Sequence, residues 1–120
     1  MQNGGLNPNL SKEIAEQRRL NEARDVILRA YQQCIDVSEV YIPNSKYTIT
    51  QRATLCNFVV ENREYLVQEG LGDTPTFMRM FNQMVDNLME KEDIPQEKAF
   101  LVVLRASYRM IGMEPDNYIR

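Results

Sequence analysis

The chain has 120 residues, 43% of them hydrophobic, and a formal net charge of −3. A chain of this length fits one domain that can bury a core without metals or disulfides, and its composition excludes disordered and collagen-like classes. The sequence also contains no histidine, the commonest general acid–base group and metal ligand near neutral pH. Ser-His-Asp sites, Cys-His sites and histidine-based metal sites are therefore excluded. We predict a protein that is not an enzyme and binds no metal or cofactor.

The hydropathy pattern bears on location. The longest uninterrupted apolar stretch, Ala99 to Leu104, is far shorter than the roughly 20 residues that span a bilayer. The first residues lack the basic segment and apolar run of a signal peptide. We therefore predict a cytoplasmic protein without a membrane partner.

Cys34 and Cys56 fall within apolar helical patterns and are predicted to be small, buried core residues without a disulfide.

The pattern of apolar residues and capping signals along the chain predicts an all-α fold. Residues 1–9 contain Gly, Asn and Pro with little to bury and are predicted to be a flexible N-terminal arm. A single domain follows over residues 10–120. Apolar periodicity and capping signals predict about four helices in this domain. Their short connections fit either a bundle or an orthogonal array, and the sequence does not decide between the two.

The first predicted helix runs from about Lys12 to about Val40 and ends before Pro43. Apolar residues spaced alternately by three and four form a seam along one side, as in helical bundles. The members of this seam are Leu20, Ala23, Ile27, Ala30, Cys34, Val37 and Tyr41. Towards the N-terminus, the next positions with this spacing are the acidic residues Glu13 and Glu16, so the apolar seam ends there. The first two turns are therefore predicted to extend past the core, exposed unless a partner covers them.

Capping signals place the next two helices. Residues 48–51, Thr-Ile-Thr-Gln, match a capping box and predict a second helix that runs to about Glu69, where Gly70 ends it. A cap residue followed by proline at Thr74-Pro75 is a typical helix start. This signal predicts a third helix from about Pro75 to about Lys91.

The third helix carries four of the seven methionines in the chain. Its predicted core stripe consists of Phe77, Phe81, Met84 and Leu88. Met78 and Met89 lie about 100° to 120° from that stripe, so the apolar arc covers roughly half of the circumference. Because methionine adapts well to partner surfaces, this helix is predicted to present a contact face, with ordinary core filling as the alternative.

The predicted contact surface also includes tyrosines beside the longest connection, because tyrosine suits interfaces. The predicted partner-binding residues are Met78, Met89, Met80, Val85, Tyr41 and Tyr47. Exposure of Met78 and Met89 would distinguish a contact face from core filling.

The fourth helix is predicted from about Pro95 to about Ile111, with Gly112 as its stop signal. Its residues 100–104 are apolar on every side. They are therefore predicted to be the most buried part of the helix.

These features together favour a protein–protein interaction module, either a regulatory adaptor or inhibitor or an assembly component. Between Glu61 and Ile94, eight acidic and three basic residues give a local charge of −5. Such a segment is either a solvated face or an acidic rim that orients a partner, since charge complementarity guides encounter. The predicted partner is another protein or a second copy of this chain in a homodimer.

Two alternatives remain open. The first is a nucleic-acid-associated protein, in which dimerisation would double a modest basic patch, because clustered basic residues displace counterions from phosphates. Its predicted binding residues are Arg105, Arg109, Arg18 and Arg19. The helix 1 arginines are interleaved with acidic residues four positions away, which partly neutralise them. The second alternative is a histidine-free enzyme, which would need carboxylates such as Glu61 and Glu64 to converge in a deep pocket.

Overall fold

The computed structural model describes residues 8–119, which form five α-helices and one short 3-10 helix and contain no strand. The helices are α1 (Pro8–Tyr41), α2 (Ile49–Glu61), α3 (Arg63–Gln68), α4 (Thr74–Glu92) and α5 (Gln96–Met110), and the 3-10 helix is Pro115–Asn117. The all-α prediction is confirmed. The predicted flexible arm falls mostly outside the described residues, and its last two residues, Pro8 and Asn9, already belong to α1.

Helix α1 extends far beyond the rest of the fold. Its 34 residues correspond to about 51 Å at 1.5 Å per residue. After Pro8, which is tolerated in the first turn, it contains no glycine or proline. Its second half packs against α2 and α4. The radius of gyration is 19.8 Å, against about 14 Å for a compact chain of this length, and this difference reflects the projecting half of α1.

The predicted second helix is two helices in the structure. The capping box is confirmed, since the Thr48 hydroxyl accepts from the Gln51 amide at 3.0 Å and the Gln51 side chain accepts from the Thr48 amide at 3.1 Å. The break comes at Asn62, whose side-chain amide donates to the carbonyl oxygen of Phe58 at 3.0 Å. Such local side-chain bonds compete with helix continuation. Gly70 follows α3 with a φ of +75°, the expected left-handed conformation.

Helices α4 and α5 pack against each other and are joined by a tight turn. The N-cap of α4 is Asp73, one residue before the predicted cap, and its carboxylate accepts from the amide of Thr76 at 3.3 Å. After α4, Asp93 adopts a left-handed backbone with a φ of 51°. Helix α5 ends before Gly112, which has a φ of +82°. The predicted stop signal at this glycine is confirmed.

The core is built around aromatic rings contributed by α2, α4 and α5. Phe81 packs edge-on to Phe100 with ring centroids 5.5 Å apart, and Phe58 packs in the same way against Tyr108 at 4.7 Å. Edge-to-face pairs of this kind contribute beyond their buried area. Residues 100–104 are only partly buried, since Leu101 and Val102 face solvent. The segment was predicted to be the most buried part of the helix, and Phe100, Val103 and Leu104 are indeed buried, but its apolar character on every side does not mean burial on every side.

Candidate functional site

The exposed apolar side chains concentrate on the projecting half of α1, residues 8–29, which we call the α1 extension. Every side chain from residue 10 to residue 29 is exposed. Ile14, Leu20, Ile27 and Leu28 are 47%, 60%, 60% and 56% exposed. The prediction of an exposed start to this helix is correct, but the exposed part is longer than two turns. Leu20 and Ile27, which belong to the predicted core seam, lie outside the core.

These four residues lie on one side of the helix. At 100° per residue, Ile14, Leu20, Ile27 and Leu28 fall within an arc of about 140°. We call this surface the extension face. Tyr31, half-buried against the core, falls inside the same arc. The extension face therefore continues the surface through which α1 packs onto the domain.

A cavity of about 350 Å³ lies where the α1 extension meets the domain. Its lining residues are Ile27, Leu28, Tyr31, Asn57, Val60 and Glu61. We call this cavity the basal notch. Its walls are mainly apolar, and Glu61 places a carboxylate at its edge. The neighbouring surface carries a second carboxylate, Glu64. The extension face thus leads into an apolar indentation beside an acidic edge.

The predicted contact residues on α4 lie in or against the core. Met78 has no exposed area and Val85 is 1% exposed, whereas Met80 and Met89 are partly buried and pack against the core. The expectation that Met78 and Met89 form an exposed face is wrong, because α1 and α5 cover α4 from two sides. Met84, predicted to be core, is 40% exposed.

The two predicted contact tyrosines are also integrated in the fold. Tyr41 is half-buried, and the guanidinium of Arg79 lies 5.2 Å from its ring centroid. Tyr47 is 6% exposed and packs edge-on to Phe100 at 5.7 Å. Burial raises the pKa of Tyr47, and its hydroxyl has no hydrogen-bond partner among the described residues. Tyr47 is therefore a core residue.

The predicted arginine site is divided between distant elements. On α5, Arg105 forms a 2.6 Å ion pair with Asp116, and the hydrogen bond from Arg105 holds the pKa of that carboxyl below its usual value. Arg109 is exposed, as are Arg18 and Arg19 on the α1 extension. The main contacts of α1 are with α2 and α4, so Arg18 and Arg19 lie on a different element from Arg105 and Arg109.

Two cysteines and two polar side chains form a buried cluster between α1 and α2 that was not predicted as a group. Its members are Cys34, Ser38, Arg52 and Cys56. Both cysteines are free, as predicted. The hydrogen bond between the two thiols lowers the pKa of Cys56 and raises that of Cys34. The Ser38 hydroxyl and the Arg52 guanidinium lower the pKa of Cys56 further.

The carboxylates that the histidine-free enzyme would need lie on the surface. Glu61, Glu64, Glu90 and Asp93 are all exposed. A groove of about 700 Å³ between α2, α5 and the C-terminal tail has Glu97 as the single carboxylate among its described lining residues. Within residues 8–119, no group of three or more potential metal ligands is close enough to hold an ion.

None of the helices described between residues 8 and 119 has the length and apolar character needed to cross a membrane. Comparisons with models of protein families, with curated proteins and with solved structures found no match to this chain.

Proposed function

We propose that this chain is a non-enzymatic protein–protein interaction module whose contact surface is the extension face together with the basal notch. The observation that supports this proposal is the exposure of Ile14, Leu20, Ile27 and Leu28 along one side of a formed helix. Exposed apolar surface of this kind on a small protein marks a site of association, and the polar side chains of Gln17, Asn21 and Arg24 lie between the apolar members of this face.

The mechanism of this interaction is the burial of apolar side chains against a partner helix or groove. Fully burying a Leu or Ile side chain contributes about 1.5–3 kcal/mol, so four half-exposed side chains supply roughly 3–6 kcal/mol before the costs of association. The helix is already formed, so less conformational entropy is lost on binding. Charged residues beside the face, such as Arg18 and Asp25, set the orientation of the partner.

The contact surface differs from the predicted one, whereas the class of function is the predicted one. Met78 and Val85 no longer contribute, since both lie in the core. The acidic edge is retained, because Glu61 borders the basal notch. A regulatory adaptor and an assembly component both remain compatible with a projecting helix of this kind.

The test compares substitutions on opposite sides of α1. The double variant Leu20→Glu/Ile27→Glu places charges on the extension face. Val26→Glu is the matched control, because Val26 is 62% exposed and lies about 170° from the centre of that face. All three positions are exposed, so each single substitution should change the free energy of unfolding by less than about 0.5 kcal/mol.

The readout is quantitative affinity capture from the cells that express the protein. Wild type and Val26→Glu should retain the same associated proteins, including any further copies of the chain, and Leu20→Glu/Ile27→Glu should lose them. If the double variant retains the same set as wild type, the extension face is not the contact surface and the proposal is overturned.

A further inference from the structure

We infer that the extension face binds a second copy of this chain, with the two α1 extensions antiparallel and Leu20 of one copy beside Ile27 of the other. This inference rests on the proposed function, because it identifies the partner of the same surface. It depends on which residues of the helix become neighbours in such a pair and on how their charges combine.

Spacing identifies the line of closest contact. The residues Ile14, Gln17, Asn21, Arg24, Leu28 and Tyr31 follow one another at spacings that alternate between three and four. This is the spacing of the contact line in paired helices. Leu20 and Ile27 flank the line on one side, and Arg18 and Asp25 flank it on the other. The helix therefore has an apolar flank and a charged flank around a mixed centre.

The centre of this line distinguishes parallel from antiparallel pairing. In a parallel pair, Arg24 faces its own copy, and like charges placed opposite each other are destabilising. In the antiparallel pair, Arg24 faces Asn21. The side-chain oxygen of Asn21 already accepts a hydrogen bond from Gln17 at 3.2 Å, and a carbonyl oxygen can accept a second bond. The guanidinium of Arg24 from the second copy can supply that bond.

The charged flank determines the register. With Asn21 opposite Arg24, Arg18 lies opposite Asp25 of the second copy, and two-fold symmetry repeats this pair. A shift by one heptad would place Arg18 opposite Arg18. In the favoured register, Leu20 also lies beside Ile27 twice, so both flanks are complementary at once. Opposite charges across paired helices set orientation and partner choice in this way.

The basal notch fits the same register. Ile14 of the second copy lies opposite Tyr31, which lines the notch together with Val60. An apolar side chain therefore meets the mainly apolar wall of the notch, at each end of the symmetric pair. The paired segment, residues 14–31, is about 27 Å long.

The experiment measures the mass of the intact chain in solution by sedimentation equilibrium over a wide concentration range. Wild type, a chain of 14.0 kDa, should sediment with twice that mass at high concentration. Arg18→Glu and Asp25→Arg, tested separately, should each raise the dimer Kd by about tenfold, since two attractive pairs become repulsive. Val26→Glu should leave the dimer Kd unchanged.

The decisive measurement mixes the two single variants. In the antiparallel register, the glutamate introduced at position 18 of one chain lies opposite the arginine introduced at position 25 of the other. The native Asp25 and Arg18 of the same two chains also lie opposite each other, so an equimolar mixture should associate as tightly as wild type. The double variant Arg18→Glu/Asp25→Arg should also recover the homodimer. Because each chain in the mixture keeps its own substitution, effects within one helix cannot produce this recovery.

Three outcomes would overturn the inference. A wild-type chain that remains monomeric at every concentration excludes self-pairing, while the capture experiment with Leu20→Glu/Ile27→Glu still decides whether the face binds a different protein. A dimer that persists in Leu20→Glu/Ile27→Glu uses another surface. A dimer that is weakened by both single variants but not recovered in their mixture has a different register.

Discussion

Arg52 of α2 donates a 2.9 Å hydrogen bond to the hydroxyl oxygen of Ser38, and this bond joins two buried polar side chains across the α1–α2 interface. Ser38 in turn donates to the carbonyl oxygen of Ile35 at 2.7 Å. Arg52 makes a second bond of 2.9 Å to the carbonyl oxygen of Ile42, just after α1. The guanidinium therefore binds the end of α1 through a hydroxyl and a backbone oxygen.

The contribution of Arg52 to stability can be measured directly. We expect Arg52→Ala to lower the free energy of unfolding by about 2–4 kcal/mol, because it removes two charge-assisted hydrogen bonds and takes a partner from the Ile42 carbonyl oxygen. Arg52→Lys should recover only part of this loss, since an ammonium lacks the planar fork. Arg109→Ala, at an exposed arginine on α5, is the control. Urea unfolding gives the values, and a loss near zero for Arg52→Ala would show that the bonds do not stabilise the fold.

Tyr47→Phe should stabilise the protein at neutral pH. The buried hydroxyl of Tyr47 has no hydrogen-bond partner among the described residues, and an unsatisfied buried group costs about 1–3 kcal/mol. The substitution keeps the ring contacts with Phe81 and Phe100. A gain of about 1 kcal/mol in urea unfolding is therefore expected. A loss of stability would instead identify a bound partner, such as water, for this hydroxyl.

The same residue predicts a pH dependence at alkaline pH. Burial, with a further effect from the Asp86 carboxylate, raises the pKa of Tyr47 in the folded state. The unfolded chain ionises near the ordinary tyrosine pKa of about 10, so below that pH the phenol is neutral in both states and its titration does not affect stability. Above that pH the unfolded state loses the proton first, and the wild type loses stability as the pH rises through the folded pKa. The stability difference between Tyr47→Phe and wild type should therefore grow above about pH 10, and a constant difference would contradict the prediction.

The burial of both cysteines predicts that their thiols react slowly in the native state. The hydrogen bond from Cys34 favours the thiolate of Cys56, but both side chains are buried. A thiol reagent should therefore label neither cysteine quickly, and labelling should follow the opening of α1 from α2. Arg52→Ala should accelerate labelling, because it weakens that interface. Rapid labelling of wild type, measured by mass spectrometry, would show that the interface opens readily.

Two methionines on α4 should differ in their effect on stability. Met78→Ala removes a fully buried side chain and should cost about 2–5 kcal/mol. Met84→Ala removes a side chain that is 40% exposed and should cost less than about 1 kcal/mol. Thermal unfolding of the two variants gives the comparison. Equal losses would place Met84 in the core as well.

The helix boundaries were predictable because the signals that set them are local. The capping box at Thr48 and the stop at Gly112 depend on a few neighbouring residues and need no knowledge of the fold. The break at Asn62 was not predicted, because its side-chain bond to Phe58 competes with a helix that the apolar pattern alone would continue. The N-cap of α4 is Asp73 rather than the predicted Thr74, because both are good cap residues and the sequence pattern does not rank them.

The faces of the helices were less predictable than their ends. Periodicity shows that one side of a helix is apolar, but not how many neighbours cover it. Met78 is buried because α4 has neighbours on two sides, whereas Leu20 is exposed because it lies on the half of α1 that projects from the domain. For the same reason, the candidate site was predicted only in part. The exposed start of α1 was expected, but the notch beside Val60 depends on tertiary packing.

The absence of glycine and proline between Asn9 and Tyr41 makes α1 a rigid spacer. A continuous helix resists bending over this length, so any assembly built on the extension face would hold the domain at a distance set by the number of residues in α1. Inserting seven residues into the extension would lengthen it by about 10.5 Å and keep the same face within about 20°. Inserting five would rotate the face by about 140° relative to the domain. The number of residues in α1 thus sets both the distance of the extension face from the domain and the direction in which that face points.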